Sequence, residues 1–386
     1  MKVVIAIDSL KGSLSSLEAG AAVREGIRRV DPACEVVVRP LADGGEGTVE
    51  ALTLGMGGKL QEVFVSGPLG ESTRAVYGIL PASHTAILEM SQAAGITLVP
   101  EGKRNPLHTT SFGVGEMILD AVRRGCRRFI VGIGGSATND GGIGMLQALG
   151  YEFLDASGKP LPFGAKGLRE LSEIRIDKAI PELRECRFRI ACDVTNPLCG
   201  ENGCSAVFAP QKGADPAVIP EMDRWLSHYA KLSRTRCEAA DPDAPGAGAA
   251  GGLGFAFLSY TNAVLESGIR IVLEETRLSD FIRDADLVIT GEGRLDAQTV
   301  MGKAPSGVAK IAKACQKPVI AFSGSVSEDA AKCNAHGIDA FFPILRRVEP
   351  LSRCMDAEVA KRNMADTAEQ VFRLLAAAKQ LKSADF

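Results

Sequence analysis

The segment Phe129–Gly144, FIVGIGGSATNDGGIG, constrains the fold more than any other part of this 386-residue chain. A short apolar run (Phe129, Ile130, Val131) opens into a loop of glycines, hydroxyls, an amide and an acid. Glycine costs conformational entropy and is useful mainly where backbone takes positive φ or approaches a ligand closely. A strand opening into such a loop, with a helix behind it, presents bare N–H groups suited to an anion. The device returns at Ala42–Thr48 (ADGGEGT), Gly246–Gly254 (GAGAAGGLG) and Gly291–Lys303 (GEGRLDAQTVMGK). Four such loops in one chain point to an enzyme that handles phosphate.

Bulk properties remove other classes. Hydrophobic residues make up 46% and charged residues 24%, the proportions of a globular protein long enough for two domains. A formal net charge of −3 gives no electrostatic case for nucleic acid or an acidic membrane. Aromatics are 5% with Trp225 the sole tryptophan, so base-stacking platforms are absent. The ten cysteines include no C-x-x-C pair and read as reduced thiols, and the four histidines show no spacing of a relay or metal site. The apolar run before Asp8 is too short for a signal peptide, and no run reaches the roughly 20 apolar residues of a spanning helix. A cytoplasmic location is expected.

Both ends of the chain share one grammar. Val3–Ile7 is a continuous apolar run ending at Asp8, as in a buried parallel strand. Ser15 and Glu18 form a capping box before a helix that runs to Asp31-Pro32. Glu35–Val38 is a second strand, followed by the Ala42–Thr48 loop and a helix ending near Gly55–Gly58. Late in the chain, Leu287–Thr290 and Val319–Phe322 are strands, each ending in a glycine loop, Val308–Cys315 is helical and Ala340–Pro343 is a further strand. A long amphipathic helix follows from Ala357 to Leu381. The two ends therefore make one doubly wound α/β domain, residues 1–68 with 277–386. Residues 69–276, entered through strands at Glu62–Val65, Arg74–Ile79 and Ala86–Met90, form an inserted mixed α/β domain.

Asp8 and Lys11 lie at the carboxyl end of the first strand, where open α/β sheets bind ligands. Asp43 and Glu46 flank two glycines before a helix and suit Mg²⁺, although capping and dipole compensation would use the same residues. Gly132–Ala137 matches a dinucleotide fingerprint with Asp155 at the ribose distance, but Asn139–Gly142 interrupts the helix that motif needs. A substrate or phosphate loop with Ser136, Thr138, Asn139 and Asp140 as polar contacts is the better reading. No Walker A sequence occurs, because Gly302-Lys303 is followed by Ala304 and position 297 is alanine. Asp193 ends the run Ile190-Ala191-Cys192 and suits a proton acceptor or metal ligand, with an Asx turn before Asn196-Pro197 as the plainer alternative. Glu292, Arg294, Asp296, Gln298 and Lys303 form a dense polar set after another strand, suited to neutralising a phosphoryl group and holding Mg²⁺.

With these loops the chain resembles the bacterial glycerate kinases of the type that generally makes 2-phosphoglycerate. The resemblance rests on Asp8–Gly12, Ala42–Thr48, Gly132–Gly142, Ala191–Leu198, Pro210–Gly213, Pro245–Gly252 and Thr290–Thr299, and covers almost the whole chain. Ile7-Asp8-Ser9-Leu10 departs slightly from the Pro-Asp-Ser-Phe common in relatives. The resemblance implies phosphorylation of D-glycerate with ATP and Mg²⁺. It also implies a discontinuous Rossmann-like domain, an inserted α/β domain and an active site in the cleft between them. The loops themselves, rather than the resemblance, make Asp193 the base or a metal ligand, with Lys11, Arg294 and Lys303 stabilising phosphate charge. Asp43, Glu46, Asp140, Glu292 and Asp296 are the candidate Mg²⁺ acids. Asp8, Ser9, Gly44, Gly45, Gly134, Gly135, Ser136, Thr138, Asn139, Asn196, Gly251, Gly252 and Gln298 are expected to contact substrate or phosphate. The oligomeric state stays open, a homo-oligomer included. Two rivals are a nicotinamide-dependent hydroxyacid dehydrogenase, and a non-catalytic sugar-acid sensor, which the many acids beside glycines disfavour.

Overall fold

A computed structural model describes residues 1–383, with side chains through residue 380. In chain order the strands are β1 (Lys2–Ile7), β2 (Glu35–Val38), β3 (Lys59–Ser66), β4 (Ser72–Leu80), β5 (Thr85–Glu89), β6 (Arg128–Gly132) and β7 (Glu152–Leu154). They continue with β8 (Glu173–Arg175), β9 (Arg187–Ala191), β10 (Ala263–Glu266), β11 (Leu287–Leu295), β12 (Val319–Val326) and β13 (Ala340–Pro343). The chain divides into two compact units, Met1–Asp43 with Val272 onward, and Gly44–Ile271.

The first unit is built on a five-stranded parallel sheet of order β13-β12-β11-β1-β2. Interior strand β1 is buried from Val3 to Ile7, which explains its unbroken apolar run. The Ser16–Arg28 helix starts with the expected capping box, Ser15 accepting from Glu18 N–H while Glu18 accepts from Ser15 N–H. It packs Ala19, Val23 and Ile27 into one core with Met364, Ala368 and Phe372 of the Ala357–Ser383 helix. Gly26 permits that approach, since a Cβ there would meet the Ala365 carbonyl oxygen at 2.1 Å.

The second unit carries a six-stranded sheet, β10-β9-β6-β5-β4-β3, with a small β7-β8 ribbon beside it. Strands β10, β9, β6 and β5 run parallel, while β4 and β3 are antiparallel additions. The expected boundary after residue 68 is therefore misplaced. Gly67–Gly70 closes a hairpin, and β3 pairs with β4 from Lys59↔Ile79 to Ser66↔Ser72. A glycine-proline turn within one sheet looks, in sequence, like a break between domains. The other boundary falls inside the Gly268–Glu275 helix rather than after residue 276.

Strands β11 and β12 also run further than expected. The Gly291–Arg294 segment read as a loop lies on β11, paired with β12 as far as Leu295↔Val326. Among the described residues no helix is long and apolar enough to cross a membrane. All ten cysteines are free thiols.

Candidate active site

In the first unit, β1 and β11 pair only as far as Ile7↔Gly291. Beyond that point β11 continues with β12 alone, so Glu292 and Arg294 stand past the end of β1. Asp8 N–H donates to the Gly291 carbonyl at 2.9 Å, which fixes Asp8 beside that overhang. Here a cavity of about 380 Å³ opens, lined on its polar side by Asp8, Ser9, Lys11, Asp43, Glu292, Arg294 and Lys303. Seven expected site residues thus share one cavity although they come from three distant stretches of sequence.

The charges in it interlock. Lys11 Nζ donates to Asp43 Oδ2 at 3.1 Å. Lys303 Nζ lies 3.8 Å from Glu292 Oε2 and 3.6 Å from Asp296 Oδ1. Thr299 Oγ1 donates to Glu292 Oε1 at 2.6 Å, and Arg294 Nε is 3.9 Å from Asp296. Asp8 is only 5% exposed, and its Oδ1 accepts from Ser9 N–H at 2.7 Å. Burial, aided by the Asp43 charge, pushes the Asp8 carboxyl up to about 7, against the pull of the Ser9 hydrogen bond and Lys11. Burial likewise raises Glu292 despite the Thr299 hydrogen bond and Lys303. Gln298 is exposed, with its backbone N–H on Asp296, and does not line the cavity.

In the second unit the parallel strands β5, β6, β9 and β10 end side by side. Gly134 and Gly135, just past β6, are exposed, and a Cβ on Gly134 would meet nothing within 4 Å. The Gly135 carbonyl accepts from Ile96 N–H at 2.8 Å. Gly44 packs against Ala191 and Gly268, and Glu46 is exposed. Asp193, past β9, is exposed and accepts from Gly268 N–H at 3.3 Å. Asn196 donates to the Asn202 carbonyl, a contact internal to its own loop.

Four expected contacts and one expected metal ligand lie inside the loop packing instead. Thr138, Asn139 and Asp140 are fully buried. Asp140 accepts from Ser111 N–H and Oγ at 2.8 and 2.9 Å and from Gly142 N–H at 3.1 Å, so its oxygens organise the turn rather than await Mg²⁺. Gly251 and Gly252 are buried against this loop. Gly251 has φ +68°, and a Cβ there would lie 2.1 Å from the Thr138 carbonyl oxygen. Gly251→Ala will therefore lower stability by on the order of 3 kcal/mol, read by thermal unfolding. An unchanged melting temperature would mean the loop yields freely.

Two residues went unassigned in the sequence. Lys212, in the Pro210–Gly213 stretch, is 2% exposed and donates to Ser136 Oγ at 2.7 Å and the Thr138 carbonyl at 2.6 Å. Burial draws its ammonium down to about 8. Nothing near it in sequence signals that a lysine is buried. Glu89, 3% exposed, accepts from Val49 N–H at 2.9 Å, and burial raises its carboxyl. It ends the apolar run of β5 as Asp8 ends that of β1, and the same strand-end rule would have found it.

Among the described residues no three His, Cys, Asp or Glu side chains are grouped to hold a metal ion. The donor set therefore does not fit a dedicated protein cage. It does fit Mg²⁺ carried by a polyphosphate, which needs one or two carboxylates and completes its shell with phosphate and water.

Residues 3–376 match the family model described as the glycerate kinase family. The chain is 48% identical to glycerate kinase of Haemophilus influenzae over 376 residues, covering 97% of this chain and 99% of that one. It is 48% identical to glycerate 2-kinase of Escherichia coli over 372 residues, covering 95% and 98% respectively. A crystal structure from Salmonella typhimurium LT2, described as a candidate glycerate kinase 2, superposes with a TM-score of 0.91 at 45% identity. That likeness covers 98% of this chain and 99% of the other.

Proposed function

The chain belongs to the glycerate kinase family, and we propose that it transfers the γ-phosphoryl group of ATP to the 2-hydroxyl of D-glycerate, giving 2-phosphoglycerate. The observation that carries the donor is the cavity past β1 and β11, where Lys11, Arg294 and Lys303 face Asp8, Asp43 and Glu292. A bare polyphosphate would be repelled by those acids, whereas a polyphosphate carrying a divalent cation finds a partner for each sign of charge. Asp43 and Glu292, with Asp296 behind, would hold Mg²⁺, which supplies charge neutralisation at the phosphates when bound. The 2-position is supported by the name of the Escherichia coli relative.

Phosphoryl transfer needs positioning and charge neutralisation more than covalent chemistry from the protein. Lys11, Arg294 and Lys303 offset the charge on the phosphoryl oxygens. As the substrate hydroxyl oxygen bonds to the γ-phosphorus and the bond to the β-γ bridging oxygen breaks, the hydroxyl proton passes to a carboxylate. Asp8, buried at the end of β1 in the same cavity as the three cations, is the carboxylate proposed for that step in place of Asp193, which is exposed past β9. In the second unit the exposed Gly134–Gly135 backbone, steadied through Ser136 by Lys212, suits the carboxylate of glycerate.

Incubation with D-glycerate, ATP and Mg²⁺ should release ADP, with 2-phosphoglycerate identified by phosphorus NMR. A 3-phosphate product would overturn the regiochemistry alone. Absence of ADP while glycerate is phosphorylated from another donor would overturn ATP. Reduction of a nicotinamide with glycerate would favour the dehydrogenase.

A further inference from the structure

We infer that Leu345, Leu351 and Met355 form the seat of the purine base of the nucleoside triphosphate, an inference that rests on the ATP reading above. The cavity that holds the three cations also has an apolar lining, made of Leu10, Ile344, Leu345, Leu351, Met355 and Ala360. Glycerate, three carbons each bearing oxygen, has no apolar face to set against such a wall. A purine has two, and it is joined to the phosphates that the charged residues of the cavity suit.

Leu351 is 76% exposed and Leu345 42%, so the core of the unit does not account for them. The wall adjoins the phosphate side directly, since a Cβ on Gly12, next to Lys11, would lie 3.1 Å from Met355 Cε. The segment is held at its start by Ile344 N–H on the Ser323 carbonyl at 2.8 Å, at the carboxyl end of the parallel sheet. Among the described residues no aromatic lines the cavity, so the base is gripped by aliphatic and thioether groups, which are adaptable surfaces for a flat ring.

The test is calorimetric binding of Mg²⁺-ATP and of inorganic tripolyphosphate, which lacks the base, to the wild type and to Leu351→Asp. Leu351 is exposed enough for this change to leave the melting temperature unaltered. The variant should bind ATP about tenfold more weakly, while its tripolyphosphate affinity, KM for glycerate and saturated kcat stay within about twofold. Leu351→Met should restore ATP binding. Equal ATP affinity in wild type and Leu351→Asp removes the base from this wall and leaves the ATP reading intact. Parallel loss of ATP and tripolyphosphate would also overturn the assignment, by making Leu351 part of the phosphate site. A wild type that binds no ATP, yet phosphorylates glycerate from another donor, ends both.

Discussion

Asp8→Asn will lower kcat by about a thousandfold while raising the melting temperature at pH 8. The two effects share one cause. Asp8 is buried beside Asp43 at the end of β1, and its carboxyl titrates at about 7 in the folded protein. A group that binds its proton more tightly when folded contributes stability that is full below the unfolded carboxylate range and is lost as pH rises through 7. At pH 8 the wild type therefore carries a buried anion that asparagine does not, a difference on the order of 3 kcal/mol. Asparagine keeps the oxygen that accepts from Ser9 N–H, so the turn survives. Near pH 4 the two melting curves should converge. The wild-type rate should fall below pH 7 as Asp8 gains its proton, giving an acid limb that the variant lacks. A variant with near-normal turnover would return the proton to Asp193, whose own asparagine variant, assayed in parallel, would then carry the loss.

Lys303→Ala is expected to lower kcat/KM for ATP by two to three orders of magnitude and shift the melting temperature by no more than about 2 °C. Lys303 occupies the cap position of the Ala304–Ala314 helix, with its ammonium between Glu292 and Asp296. Its side chain is 37% exposed, so the ion pairs themselves add little to stability. Their value lies in the cavity, where the cation offsets phosphoryl charge and draws the Glu292 carboxyl down against the upward push of burial. Without it the Glu292 carboxyl rises further. Arginine at 303 keeps the charge and should recover part of the rate. Steady-state kinetics and thermal melts decide the matter, and a rate within threefold of wild type would make Lys303 an ordinary surface partner.

What the sequence revealed followed from local rules. A continuous apolar run ending in an acid located β1 and Asp8, and Ser15 with Glu18 located the start of the first helix because both partners of that cap lie within four residues. The glycine loops marked places where backbone must bend or approach closely, but not what approaches it. At Gly134 that is open space, whereas at Gly251 it is the Thr138 carbonyl, more than a hundred residues away in the chain. Asp140 looked like a metal ligand beside glycines, and its true partner, Ser111, lies 29 residues earlier. The Gly291–Arg294 segment reads as a loop because a glycine pair weakens strand propensity. Pairing with β12, a tertiary fact, overrides that preference.

The position of β1 also bears on how the chain is made. Lys2 N–H is bonded to Asp286, 284 residues later, and β11 is the strand that completes the middle of the parallel sheet. At ordinary translation rates the ribosome needs roughly 15 to 60 s to span that interval. The Gly44–Ile271 unit is continuous and can close its own sheet during this time. The first forty residues can do no more than pair β1 with β2 under one helix, leaving an apolar edge without its neighbour. For a nascent chain this is the hazardous stage, and chaperone dependence or aggregation should centre on Val3–Ile7 until β11 has left the exit tunnel.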